Sequence, residues 1–212
     1  MVLFDIDKTL VFGENAIQFY RQYSEILEKT LARLLQVDTI TSKKIADEHR
    51  AAFDGRGELA FRTHHLDFGQ WHDALTQLSP SQFLTPLPNT QALLQELKSK
   101  KYIVGAITDG PRPLVEKILG ATKIDSTIFD FIIGWERGKQ MPKYGSTKIF
   151  TQICMERGIP PQETVMIGDS LSSDILPAIA AGLHAIYINP NQVVEQKKYR
   201  SITNITQLSS LL

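Results

Sequence analysis

The apolar residues of this chain follow two periodicities, which divide it into strand-like and helical stretches. Residues 2–6 form a short apolar run of the kind found in a buried β-strand. Between residues 16 and 34, apolar side chains recur three and four positions apart, which predicts an amphipathic helix. From residue 102 onward, short apolar runs alternate with helical segments, as in parallel strands joined by crossover helices.

This alternation predicts an α/β fold with a doubly wound, Rossmann-like parallel sheet of five strands. The predicted strands are residues 2–6, 102–108, 130–133, 164–167 and 185–188. Ligands of such sheets bind beyond the carboxyl ends of the strands. The polar residues that follow the strands are therefore the candidates for a functional site.

The stretch between the first two predicted strands indicates a separate helical unit. A second helix is predicted over residues 41–53, with Thr41 as its cap, and more helix over residues 58–78. Three prolines between residues 80 and 88 mark a linker, and Asn89 is the predicted cap of the next helix.

From these boundaries we predict a smaller, all-helical domain over residues 13–85. It is inserted into an α/β core made of residues 1–12 and 86–212. The core is expected to end in a short helix from residue 203.

Composition excludes several functional classes. The 23 Lys and Arg residues balance 23 Asp and Glu, so no overall basic charge draws the chain to a nucleic-acid polymer or an anionic membrane. No apolar run approaches the ~20 residues of a membrane span, and the first strand leaves no room for a cleaved signal, so we expect a cytoplasmic protein. Cys154, the single cysteine, lies in a segment of helical spacing and is interpreted as a packing residue.

Two carboxylates, Asp5 and Asp7, end the first predicted strand. Where a strand gives way to a loop, the second carboxylate can turn beside the first. Asp5 then has the position of a nucleophile that forms an aspartyl phosphate. Asp7 has the position of a group that protonates the leaving oxygen and later deprotonates water. By itself the pattern fits a metal site or a solvated turn equally well.

Further polar side chains follow two other predicted strands. Thr108 and Asp109 end the second strand, and Asp169 and Asp174 follow the fourth. Mg²⁺ prefers hard oxygen ligands and keeps several waters, so a few strand-end carboxylates and a substrate phosphate suffice to bind it. Asp5 and Asp169 are the natural pair of ligands, whereas Asp174 is either a further ligand or the cap of the following helix.

In combination, four motifs resemble those of the haloacid dehalogenase-like hydrolases, most of whose members are magnesium-dependent phosphatases. Residues 5–10 match the family's nucleophile motif Asp-x-Asp-x-Thr, and residues 107–110, Ile-Thr-Asp-Gly, match its strand-end Ser/Thr motif. Lys143 fits the lysine motif best, and residues 168–170, Gly-Asp-Ser, with Asp174 fit the fourth. The motifs follow one another in the family's order and span nearly the whole chain.

The resemblance implies a phosphatase that acts through an aspartyl phosphate on Asp5, with Asp7 as general acid and base. It implies Mg²⁺ as the cofactor, bound by Asp5, the backbone carbonyl of Asp7 and Asp169. In this reading Asp174 supports Lys143 or a metal-bound water.

The resemblance also implies that Thr108 and Lys143 hold the transferring phosphoryl oxygens, assisted by backbone N–H groups around Asp109 and Gly110. Two departures from the family pattern leave alternatives open. Pro usually follows the lysine, whereas here Pro142 precedes Lys143, so Lys139 and Lys148 remain rivals. Asn is commoner at the position of Asp109, whose side chain we expect to fix a turn.

The helical insertion after the first motif resembles the family's small cap, which closes over the phosphate and contacts the leaving group. The cap residues to follow, each of which fits a surface or packing position as well, are Arg56, His64, His65, Trp71 and His72. The substrate is expected to be a small phosphorylated metabolite. A distant similarity to the caps of pyrimidine nucleotidases adds nucleoside monophosphates to the candidates, and sugar phosphates and glycolate phosphate remain open.

Other chemistries of the family match less well. Haloacid dehalogenases have no counterpart of Asp7, and phosphonatases need a cap lysine that we do not identify. A phosphomutase would share every core motif. The alternative from another class is a non-catalytic or regulatory protein that carries a long-lived phosphate on Asp5. Asp7 argues against it, because an acid/base at this position shortens the life of an acyl phosphate.

Overall fold

The computed structural model describes residues 1–53, 55–143, 147–191, 193 and 198–211. Its centre is a six-stranded sheet in which neighbouring strands are parallel. In chain order the described strands are β1 (Val2–Phe4), β2 (Val11–Phe12), β3 (Thr85–Pro86), β4 (Val104–Pro111), β5 (Phe131–Trp135), β6 (Val165–Gly168), β7 (His184–Ile188) and β8 (Arg200–Ile202). The sheet has the order β5-β4-β1-β6-β7-β8, which confirms the predicted α/β class with a parallel sheet.

The number of strands differs from the prediction, because a sixth strand, β8, pairs with β7 at the edge of the sheet. β8 has three residues, of which Ile202 is buried and Arg200 is exposed. It therefore lacks the apolar run on which the prediction of five strands relied. Elsewhere the bounds shift by a few residues, since β1 ends at Phe4 and β4 continues to Pro111.

Helices cover both faces of the sheet. In chain order the described α-helices are α1 (Ala16–Leu35), α2 (Thr39–Ala52), α3 (Leu59–Thr63), α4 (Phe68–Leu75), α5 (Thr90–Ser99), α6 (Arg112–Ala121), α7 (Lys148–Arg157) and α8 (Leu176–Ala180). Val2 and Phe4 of β1 belong to one hydrophobic cluster, whereas Leu3 belongs to a second one with Phe150 of α7. This division follows from the alternation of side chains along a strand.

Two of the shorter helical segments bear on the predictions. A π-helical turn, Leu171–Ile175, precedes α8. A 3₁₀ helix, Ile205–Ser210, lies where the sequence predicts a final short helix.

Helices α1 to α4 form the segment for which a helical domain is predicted, and two of the predicted details are wrong. α2 begins at Thr39, and its N-cap is Asp38, whose carboxylate accepts a hydrogen bond from the backbone N–H of Thr41 at 2.7 Å. The helix predicted over residues 58–78 is divided into α3 and α4, because His65 has a left-handed φ of 55°.

The chain passes between this helical segment and the sheet-bearing part at β2 and β3. Val11 pairs with Pro86, and Phe12 pairs with Thr85, so the two crossings are neighbours. At Gly13 the backbone has a φ of 127°, and a Cβ added there would lie 3.0 Å from the carbonyl oxygen of Phe83. The domain boundaries at residues 13 and 85 stay a prediction, and this strand pair lies beside both of them.

Two further expectations concern single features. Within the described ranges, no helix combines the length and the apolar character that a membrane crossing requires. Cys154 is buried, and its thiol donates to the Oγ1 of Thr164 at a distance of 3.6 Å. This environment agrees with its interpretation as a packing residue.

Candidate active site

The strand order brings the predicted motifs together at the carboxyl end of the sheet. β1 lies between β4 and β6, so the chain order reverses at β1, which is where ligands of doubly wound sheets bind. Asp5 follows β1 directly, and its backbone N–H donates to the carbonyl oxygen of Ile167 in β6 at 2.9 Å. Thr108 lies in the last part of β4, and Asp169 follows β6.

Lys143 is the cation at the centre of this site. Its Nζ donates to an oxygen of Asp5 at 2.5 Å and to an oxygen of Asp174 at 2.6 Å. Burial alone would lower the pKa of Lys143, but the charges of Asp174 and Asp5 outweigh burial and hold the pKa above its ordinary value. The rivals from the sequence lie elsewhere, since Lys139 is an exposed partner of Glu136 and Lys148 is exposed at the start of α7.

Asp174 is fully buried in the π-helical turn and supports Lys143. Its second oxygen accepts a hydrogen bond from the backbone N–H of Ser170 at 3.1 Å. Asp174 is not the helix cap, because Ser170 takes that position and accepts from the backbone N–H of Ser173. Gly168 permits this arrangement, since a Cβ there would lie 2.3 Å from the Asp174 carboxylate.

Three acidic side chains meet beside Lys143. Oxygen atoms of Asp5, Asp169 and Asp174 lie within 4.8 Å of one another. Burial, reinforced by the charges of Asp5 and Asp174, raises the pKa of Asp169 to about 8. Burial also raises the pKa of Asp174, to about 7. A divalent cation would relieve the mutual repulsion of these groups, and their hard oxygen atoms fit Mg²⁺.

Asp7 lies beside Tyr20, a contact that the sequence reasoning missed. The Tyr20 hydroxyl donates to a carboxylate oxygen of Asp7 at 3.0 Å. Burial and the charge of Asp5 raise the pKa of Asp7 to about 6, against the lowering effect of the Tyr20 hydrogen bond. A carboxyl group with this pKa exchanges protons readily near neutral pH. In the sequence, Tyr20 is one of the residues between 16 and 34 whose spacing predicts an amphipathic helix, and nothing there singles out its hydroxyl group.

The strand-end motif makes internal contacts. Thr108 is buried, and its Oγ1 accepts a hydrogen bond from the backbone N–H of Gly110 at 3.1 Å. One oxygen of Asp109 accepts from the backbone N–H of Lys143 at 2.7 Å, and the other accepts from Arg56 at 2.9 Å. Asp109 thus holds the lysine segment in place, and phosphate binding near Thr108, Asp109 and Gly110 stays a prediction.

A cavity of about 240 Å³ lies between the helical segment and the carboxyl end of the sheet. Asp5, Asp7, Thr108, Lys143 and Asp169 are among the residues that line it from the sheet side. The helical segment contributes Tyr23, Arg56, Glu58, Trp71, His72 and Leu75.

Of the five cap residues singled out in the sequence, three line this cavity. Arg56 donates to Ser173 and to Asp109, each at 2.9 Å, and so joins the helical segment to the sheet-bearing part. Trp71 and His72 line the cavity from α4. His64 and His65 are exposed at the surface instead. Tyr23 was missed for the same reason as Tyr20, because its ring fits the apolar stripe of α1.

Comparisons with known proteins agree with this geometry. The family model described as haloacid dehalogenase-like hydrolase matches residues 1–182. The chain is 26% identical to the glyceraldehyde 3-phosphate phosphatase of Pyrococcus furiosus, over 100% of this chain and 91% of that protein. It is also 26% identical to the pyrimidine 5'-nucleotidase YjjG of Escherichia coli, over 89% of this chain and 85% of that protein.

A solved structure, that of a HAD phosphatase from Thermococcus onnurineus, superposes with a TM-score of 0.67. The two chains are 25% identical, and the match covers 99% of this chain and 96% of the other. Several other curated relatives are matched over only 44–59% of their own length.

The parallel sheet, the site at its switch point and the family match define the class of this protein. The chain belongs to the haloacid dehalogenase-like hydrolases. Two relatives matched over most of their own length are named as a phosphatase and a nucleotidase.

Proposed function

We propose that the protein is a magnesium-dependent phosphatase that hydrolyses a small phosphate monoester through an aspartyl phosphate on Asp5. The observation that carries the proposal is the arrangement around Lys143, whose Nζ lies 2.5 Å from Asp5 and 2.6 Å from Asp174, with Asp169 beside both acids. This arrangement combines an anionic nucleophile, a buried cation and a set of oxygen ligands at one point.

In the first half of the reaction, a carboxylate oxygen of Asp5 attacks phosphorus, and the bond from phosphorus to the leaving oxygen breaks. The carboxylic acid of Asp7 donates its proton to that leaving oxygen. Asp7 then takes a proton from a water molecule whose oxygen attacks phosphorus, the bond to Asp5 breaks, and inorganic phosphate leaves. The hydrogen bond from Tyr20 orients the Asp7 carboxyl group for both proton transfers.

The remaining polar residues neutralise and position the phosphoryl group. Phosphoryl transfer needs mainly positive charge and alignment at the equatorial oxygens. The Lys143 ammonium supplies the charge, and the Thr108 hydroxyl offers a further hydrogen bond. Asp5, Asp169, the backbone carbonyl of Asp7 and Asp174 are the predicted holders of Mg²⁺, which when bound supplies further positive charge.

The helical segment of residues 13–85 acts as the cap in this proposal. Arg56, Trp71 and His72 face the catalytic carboxylates across the cavity, so they are placed to exclude water and contact the leaving group. The names of the relatives, a triose phosphate phosphatase and a nucleotidase, support a small phosphorylated metabolite as substrate.

The nucleophile is tested by measuring phosphate release from an aryl phosphate with the Asp5→Asn variant. We expect release to fall to the background rate, because an amide oxygen does not form the acyl phosphate. Asp47→Asn, an exposed acid on α2, is the matched control and keeps wild-type turnover. Wild-type turnover in Asp5→Asn would refute the assignment.

The metal is tested separately, by calorimetric titration of the substrate-free protein with Mg²⁺. We expect binding that weakens in Asp169→Asn, together with activity that is lost on chelation and restored by Mg²⁺. Activity that survives thorough chelation would contradict the proposal. Product analysis covers the alternatives: an isomeric phosphate ester would indicate a phosphomutase, and a phospho-Asp5 stable for minutes without turnover would indicate a regulatory protein.

A further inference from the structure

Three polar atoms in the cap side of the cavity have no hydrogen-bond partner within the described part of the chain. They are the hydroxyl of Tyr23, the indole Nε1 of Trp71 and the Nδ1 of His72. All three atoms are buried, and their side chains line the cavity. Buried polar atoms in folded proteins nearly always have partners. Three such atoms around one cavity beside a catalytic site indicate that a ligand supplies the partners.

Aromatic packing fixes these side chains in place. The rings of Trp71 and His72 stack with centroids 5.0 Å apart, and the ring of Tyr23 meets Trp71 edge-on at 6.5 Å. His72 is also held by Phe68 at 4.4 Å and by Trp135 of β5 at 4.1 Å. The rings are therefore ordered before a ligand binds, and a small movement has to uncover the three buried polar atoms for the ligand to reach them.

The chemistry of the three groups points to an uncharged leaving group that carries oxygen atoms. An indole N–H only donates hydrogen bonds, whereas a phenol and a neutral imidazole donate or accept them. Burial lowers the pKa of His72 to about 3, so its ring is neutral at physiological pH. The cation on this side of the cavity, Arg56, is already in ion pairs with Glu58 and Asp109.

The volume of the cavity favours a short leaving group. Sites for drug-sized ligands range from about 300 to 1,000 Å³. The cavity of about 240 Å³ lies below that range and has to hold the phosphoryl group as well. A chain of a few carbon atoms fits this space, whereas a nucleoside needs more of it.

We propose that Tyr23, Trp71 and His72 form a leaving-group subsite that selects short, uncharged phosphate monoesters with hydroxyl or carbonyl oxygens. This inference rests on the proposed phosphatase function and adds the class of substrate to it. Tyr23, Trp71 and His72 are specificity-determining residues in this scheme, and they do not touch the phosphoryl group.

The test compares two esters of three carbons, D-glyceraldehyde 3-phosphate and n-propyl phosphate, which lacks the oxygens of the leaving group. The readout is the ratio of their kcat/KM values, measured from phosphate release. In Tyr23→Phe we expect this ratio to fall about fivefold, the effect of one net hydrogen bond. Trp71→Phe, which removes the indole N–H donor, should also lower the ratio.

Tyr20→Phe is the matched control, since Tyr20 lies one helical turn from Tyr23 on α1 and contacts Asp7. It is expected to slow the turnover of both esters together and to leave their ratio at the wild-type value. Each variant is also assayed with n-propyl phosphate, and turnover of this ester shows that the preparation is folded.

The other outcomes separate the two proposals. If the wild type hydrolyses neither ester nor any other phosphate monoester, the proposed function fails and the inference fails with it. If it hydrolyses both esters and Tyr23→Phe leaves the ratio unchanged, the inference alone is overturned. A kcat/KM for uridine 5'-monophosphate above that for D-glyceraldehyde 3-phosphate would also overturn it, because the subsite would then accept a nucleoside.

Discussion

Local sequence motifs identify some of the side chains at the candidate site and leave others unrecognised. Asp5, Asp7, Asp169 and Lys143 follow strands or match motifs, and the structure brings them to one place. Lys143 could not be separated from Lys139 by spacing alone, because only the folded loop shows which ammonium reaches Asp5. The sequence does not identify Tyr20 and Tyr23 as site residues, because a tyrosine on an apolar stripe packs through its ring whether or not its hydroxyl has a function.

At the same scale, His72 makes the stability of the protein sensitive to acid. Its pKa is about 6.5 in an unfolded chain and about 3 in the folded one, so below pH 6.5 the unfolded state binds a proton that the folded state does not. The free energy of unfolding therefore falls as the pH falls through this range. Between pH 7.5 and pH 5.5 the contribution of His72 is about 1.4 kcal/mol.

We measure the free energy of unfolding by urea denaturation at pH 7.5 and pH 5.5. Its decrease over this interval should be about 1.4 kcal/mol smaller in His72→Gln than in the wild type. The carboxyl groups that line the same cavity titrate in both proteins, so the comparison isolates the histidine. Equal losses in the two proteins would show that His72 takes up its proton as readily in the folded state as in the unfolded one.

At the scale of elements, the alternation of apolar runs and helices is enough to predict the fold class and five of the six sheet strands that the described residues form. The details that were wrong depend on tertiary contacts. β8 forms because β7 offers an edge to pair with, and α3 and α4 separate because the backbone turns at His65. Neither the pairing of β8 with β7 nor the turn at His65 produces a periodic pattern in the sequence. Asn89 does stand at the N-cap of α5, but its side chain makes no capping hydrogen bond.

A pair of glycine substitutions tests how the end of β6 positions the site. In Gly168→Ala the added Cβ would lie 2.3 Å from the Asp174 carboxylate, so the carboxylate or the strand has to move. We expect a loss of stability of about 1–3 kcal/mol and weaker Mg²⁺ binding, measured by urea unfolding and calorimetry.

Gly120→Ala is the control for this substitution. Gly120 lies in α6, and a Cβ added there meets nothing within 4 Å. Its replacement should therefore raise stability by about 0.5–1 kcal/mol through better helix propensity. If Gly168→Ala behaved like Gly120→Ala, the close approach of Asp174 to β6 would not matter for the site.

At the scale of the whole molecule, Arg56 is the link between the helical segment and the sheet-bearing part. Its guanidinium contacts Glu58 on its own side and reaches Ser173 and Asp109 on the other. Asp109 in turn accepts from the backbone N–H of Lys143. The position of the helical segment and the position of Lys143 are thus coupled through one carboxylate.

Arg56→Lys tests this coupling, because a lysine keeps the charge but does not reach three partners with a planar fork. We expect kcat/KM to fall about tenfold, as for the loss of a charged hydrogen bond. Hydrogen exchange of the α4 amides should accelerate as the cap separates more often from the sheet. The exposed Arg33→Lys on α1 is the control. Unchanged exchange and unchanged kcat/KM would exclude the coupling.

The strand pair β2 and β3 has a consequence for how such proteins diversify. The chain leaves for the helical segment at Phe12 and returns at Thr85, which is its pairing partner. A segment whose two ends lie side by side can be replaced by a segment from a related protein, because both junctions lie at the same place on the sheet-bearing part. Under the proposed function, recombination at these two junctions would transfer the residues proposed to select the substrate as one unit, and the proposed phosphoryl-transfer residues that follow β1 and β6 or lie in β4 would stay in place.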